Sequence, residues 1–96
     1  MNTTFIGRLL VTRFHNIYDI KEAVLDALTQ NGMAHEDSSW TKQSNIDILC
    51  TDQINVALVQ RNMRPTFFLE FHSKVPLREN GPTLDYLQTA ISSLNV

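Results

Sequence analysis

The 96-residue sequence predicts a small α+β domain. It is read as a four-stranded, mainly antiparallel sheet with two helices on one face, in the order β-α-β-β-β-α. Three observations carry this reading. Runs rich in β-branched and aromatic residues recur at 4–14, 45–50, 54–61 and 66–73. Two other segments repeat apolar residues at three- and four-residue spacing. The length suits one core and leaves no room for two, so residues 1–96 are taken as a single domain.

The first strand, 4–14, is apolar on both faces. Phe5, Leu9 and Val11 alternate with Ile6, Leu10 and Phe14, a pattern expected of a strand covered on both sides. A helix is predicted over 17–31 from Ile20, Ala23, Val24, Ala27 and Leu28. Asn16, or Asp19 with Glu22, can cap its start, and Gly32 suits its end because glycine takes the left-handed conformation at no steric cost. Residues 33–44 are polar and aperiodic, and they read as one long loop holding the single tryptophan, Trp40.

The runs at 54–61 and 66–73 flank Asn62-Met63-Arg64-Pro65, a hairpin signal. Thr51-Asp52-Gln53 reads as a tight three-residue connection before them. After a turn-rich link at 74–81, Pro82 fits the first position of a second helix, whose stripe is Leu84, Leu87, Ile91 and Leu94.

Composition limits the function classes. The apolar fraction of 43% and charged fraction of 19% are ordinary globular values. With a net charge of −2 and basic residues scattered among acids, the chain lacks the basic stripe of a nucleic-acid binder. No apolar run reaches the length of a membrane span. The single cysteine, Cys50, cannot form an internal disulfide, and no secretory signal pattern is visible. A cytoplasmic protein with no cofactor, no nucleic-acid partner and no membrane association is expected.

Pairing Arg61 with Thr66 sets Val59 opposite Phe68, Ala57 opposite Glu70 and Asn55 opposite His72. Val56, Leu58, Phe67, Leu69 and Phe71 then share a core face with Ile54 at its end. A three-residue connection at 51–53 adds Ile46, Ile48 and Cys50 to that core. The opposite face would hold Leu49, Ala57, Val59 and Phe68, ringed by Asp47, Asn55, Arg61, Glu70 and His72. The first strand would add either Ile6, Leu10 and Phe14 or Phe5, Leu9 and Val11. A solvated face should alternate cleanly to polar residues, and an apolar patch with a polar rim marks an interaction surface.

The expected function is therefore binding rather than catalysis, by a homodimer or by an adaptor, inhibitor or assembly component on a larger protein. Leu49, Val59 and Phe68 would be the apolar contacts, and Asn55, Arg61, Glu70 and His72 would set orientation, with Phe68 and Arg61 as anchors. The alternative is a small-ligand binder with the 33–44 loop as lid and His35 and Trp40 as its ligand residues. A metal-dependent enzyme ranks lower. Its candidates are His15, Cys50 and His72, which gather at one end of the sheet if strands one, two and four run parallel. His35-Glu36-Asp37 is adjacent in sequence, but three neighbours rarely converge on a metal without partners from elsewhere. Glu70 and His72 sit two apart on one strand face, a spacing open to an acid–base pair but read here as the polar rim of an interface.

The stretch IKEAVLDAL at 20–28, followed by strands and a late helix, resembles the opening of some phage tail-terminator proteins. The likeness covers well under half of the chain and rests on an amphipathic helix, so it implies no residue roles.

Overall fold

A computed structural model describes residues 4–35, 37–51, 53–60, 66–74, 88–89, 91–94 and 96. Among the described residues five strands and one full helix are formed: β1 (Thr4–Val11), α1 (Ile17–Gln30), β2 (Trp40–Gln43), β3 (Ile46–Cys50), β4 (Ile54–Gln60) and β5 (Phe67–Ser73). The strands make one antiparallel sheet in the order β1-β5-β4-β3-β2. The expectation of four strands and two helices is corrected to five strands and one helix, in the order β-α-β-β-β-β.

Helix α1 forms where its periodicity places it. Ile20, Val24 and Leu28 are fully buried against the sheet. Asn16 caps the start, its side-chain oxygen accepting from the Tyr18 N–H at 2.8 Å. At the other end Gly32 takes φ +71°. Its N–H donates to Thr29 O at 3.0 Å, and the Met33 N–H donates to Leu28 O at 2.8 Å. Those two bonds are a Schellman motif, completed by the burial of Met33.

The segment expected as a loop at 33–44 contains β2. Ser44 and Asn45 join β2 to β3, with φ of 49° and 68° and Gln43 opposite Ile46. Two consecutive positive φ values in a two-residue connection are the signature of a type I′ hairpin. Asparagine tolerates this conformation and serine does so less readily. The pair Ser-Asn therefore gave a weaker turn signal than Asn-Gly.

The β4–β5 hairpin has the predicted register, with Asn55 opposite His72, Ala57 opposite Glu70 and Val59 opposite Phe68. Its turn at 61–65 lies outside the described residues. Ile54, Val56, Leu58, Phe67, Leu69 and Phe71 are buried on the helix side.

Strand β3 departs from expectation by one residue. Cys50 lies opposite Asn55, one position later than a three-residue connection at 51–53 requires. The Thr51 side chain builds this turn. Its hydroxyl oxygen accepts from the Ile54 N–H at 3.1 Å and the Gln53 N–H at 3.3 Å, while the Thr51 N–H donates to Ile54 O at 2.9 Å. A one-residue slip exchanges the faces of every side chain on a strand. Asp47 and Leu49 consequently point to the core, and Ile46, Ile48 and Cys50 point away from it.

Strand β1 pairs with β5 at one edge of the sheet. A bulge at Ile6 breaks its alternation: Phe5 lies opposite His72, yet Gly7 lies opposite Phe71. Neither alternating set of the first strand is therefore presented intact. Phe5 and Leu10 share the face turned away from α1, and Val11 is buried.

Most of the second expected helix, including Pro82, Leu84 and Leu87, lies outside the described residues. Helical backbone is seen at Gln88, Thr89, Ile91 and Ser92. Ile91, Leu94 and Val96 are buried in the same core as α1, and Val96 O accepts from the Thr12 and Arg13 N–H groups at 3.1 and 2.7 Å. Among the described residues no helix is long and apolar enough to cross a membrane.

Candidate functional site

On the face away from α1, the strand registers arrange side chains in three rows. The first runs Leu10, Phe68, Val59 across β1, β5 and β4. The second runs Arg8, Glu70, Ala57, Ile48, Thr41 across all five strands. The third runs Phe5, His72, Asn55, Cys50. Cross-strand neighbours on one face lie about 5 Å apart, so each row is a line of contacting groups.

Apolar area dominates this face. Phe5 and Leu10 are each 54% exposed. Ile46, Ile48, Ala57, Val59 and Phe68 are partly exposed. Among the described residues no helix covers them.

The charged groups sit within this apolar field. An Arg8 guanidinium nitrogen meets Glu70 Oε1 at 2.9 Å, and the guanidinium lies 4.8 Å from the centre of the Phe68 ring. On the other side of Glu70, His72 Nε2 lies 3.8 Å from Oε2. Phe5 meets the His72 imidazole edge-on at 5.5 Å between centroids. Asn55 Oδ1, in the same row, is buried with no hydrogen-bond partner among the described residues. At the end of β5 the Lys74 ammonium donates to Thr51 O at 2.8 Å and lies 3.5 Å from Cys50 Sγ.

The structure sorts the residues singled out from sequence. Asn55, Val59, Phe68, Glu70 and His72 come together on this face. Leu49 does not: it is fully buried on the helix side. Asp47, expected at the rim, is also buried there and pairs with Lys21 of α1 at 2.8 Å. The slip in β3 explains both corrections. Arg61 and Glu36 lie outside the described residues.

Trp40 stands in a strand and not in a long loop. It lies in β2, packs against the core and donates its indole N–H to Lys21 O at 3.2 Å. His35 is exposed in a turn, where its N–H donates to Ser38 Oγ and its carbonyl accepts from the Ser38 N–H, both at 3.0 Å.

His15, Cys50 and His72 do not converge. His15 follows the end of β1 that pairs with Phe67, whereas His72 pairs with Phe5 at the opposite end. Antiparallel pairing separates what a parallel arrangement would have gathered. Among the described residues no three His, Cys, Asp or Glu side chains group as metal ligands.

Phe5, Arg8 and Leu10 were not among the partner-binding residues chosen from sequence, nor were Ile46 and Ile48. Gly7 was the available signal for the first three, since an isolated glycine within a strand often marks a bulge. Thr51 was the signal for the isoleucines, because its hydroxyl can cap a turn and change the connection length.

Two of the clefts formed by the described residues bear on small-ligand binding. One of about 330 Å³ runs between Ile6, Gly7 and Arg8 of β1 and Gln88, Ile91 and Ser92. The other, of about 210 Å³, is lined by Phe14 and by Asp19, Glu22, Ala23 and Asp26 of α1. Both are open, and neither gathers buried polar groups of the kind that orient a small ligand. Comparison with protein-family models, with curated proteins and with solved structures finds no match to this chain.

Proposed function

We propose that this protein works by binding, and that its sheet face is a self-association surface on which two copies meet about a twofold axis. The observation that carries the reading is the apolar field formed by Leu10, Phe68, Val59, Ala57, Ile48 and Ile46, with Phe5 set apart from it beyond the Arg8–Glu70 pair. A sheet face left to water alternates to polar residues, and this one does not.

Three further features favour a second copy. Arg8 and Glu70 neutralise each other on β1 and β5, toward one edge of the face, so two like faces can approach without a like-charge clash. The sheet edges offer poorer routes. β2 is only four residues long and carries the exposed Lys42, both devices that discourage edge pairing. Just past the end of β1, Val96 O takes the Thr12 and Arg13 N–H groups and closes the backbone there to a partner strand.

Size sets the expected strength. Five strands of four to eight residues, at about 3.3 Å per residue and about 4.8 Å apart, give a face of roughly 500 Å² in plan. That is at the small end for a stable interface of about 800 Å² per partner. The dimer is therefore concentration-dependent rather than obligate. Phe68, stacked against Arg8, supplies the aromatic–arginine anchor that dominates such surfaces.

Molar mass by light scattering behind a sizing column, over a protein dilution series, tests the reading. The mass should rise toward twice the 11.0 kDa chain with concentration. Phe68→Glu should remain folded and monomeric throughout. A wild-type monomer at every concentration, or a Phe68→Glu protein that associates as the wild type does, overturns it.

A further inference from the structure

We draw no further inference here: the strongest candidate, the cleft of about 330 Å³ between Ile6, Gly7 and Arg8 at the bulged outer edge of β1 and Gln88, Ile91 and Ser92, is an open groove beside a strand edge, and nothing in the structure shows what covers it.

Discussion

Lys21 of α1 and Asp47 of β3 meet at 2.8 Å on the helix side of the sheet, beside the Trp40 ring. The Asp47 side chain is 11% exposed and that of Lys21 is 21% exposed. With the Trp40 indole bonded to Lys21 O, this pair ties α1 to the outer strands β2 and β3. Removing one partner from a mostly buried pair leaves the other charge without an answer. Asp47→Ala should cost about 2–4 kcal/mol in urea unfolding, and adding Lys21→Met should recover a good part of the loss. If the single and double variants lose the same stability, the two side chains are not coupled.

The turn at Thr51 sets the register of β3 through a hydroxyl buried beneath the chain. Thr51→Val keeps the shape and removes the acceptor of two N–H groups. The expected loss is about 1–3 kcal/mol, the usual cost of buried donors left unpaired. Chemical denaturation checks it. A loss below a few tenths of a kcal/mol means that the backbone alone holds the turn.

Gly32 tests the C-terminal cap of α1. A Cβ built there meets nothing within 4 Å, so the effect of a side chain is confined to the backbone at φ +71°. Gly32→Ala should lower stability by about 1–2 kcal/mol, and Gly32→Asn by less, since asparagine visits this region more readily. Thermal melts of the two variants should fall in that order.

Asn45 probes the β2–β3 hairpin in the same way. At φ 68° it suits Asn45→Gly, which should leave stability unchanged or slightly raised. The β-branched Asn45→Val should cost about 1–2 kcal/mol. Equal stabilities for the two would argue against the type I′ geometry.

Leu49 and Val59 separate the two faces of the sheet. Leu49 is 0% exposed within the core, whereas Val59 is partly exposed on the face assigned to self-association. Leu49→Ala should cost about 2–5 kcal/mol in stability. Val59→Lys should instead shift the monomer–dimer balance with a much smaller effect on unfolding. Measuring molar mass and unfolding on both proteins checks the assignment, and a Val59→Lys protein as unstable as Leu49→Ala would contradict it.

Local chemistry made some of this protein legible in its sequence. Helix α1 follows from the spacing of Ile20, Val24 and Leu28, with Asn16 and Gly32 marking its ends, because capping and periodicity act within a few residues. The β4–β5 register follows from Ile54, Val56, Leu58, Leu69 and Phe71 having to share one buried face. That places Asn55, Val59, Phe68, Glu70 and His72 together on the other side.

The remaining features depended on turn geometry and strand pairing that apolar patterning does not specify. Short, polar β2 became a strand because a hairpin with two positive φ values laid it beside β3 and Trp40 found Lys21. A threonine hydroxyl shifted β3 by one residue, sending Leu49 inward and Ile48 outward, a choice that apolar alternation permits equally in both directions. Strand β1 carried apolar groups on both faces, so its pattern named no neighbour. Pairing with β5 and the bulge at Ile6 decided that Phe5, Arg8 and Leu10 would join Phe68 and His72. The sequence by itself determined one helix and one hairpin, whose energetics are local. Tertiary structure alone decided which side chains share the sheet face turned away from α1, because side-chain direction on a strand depends on register, and register is set by the strand's partners.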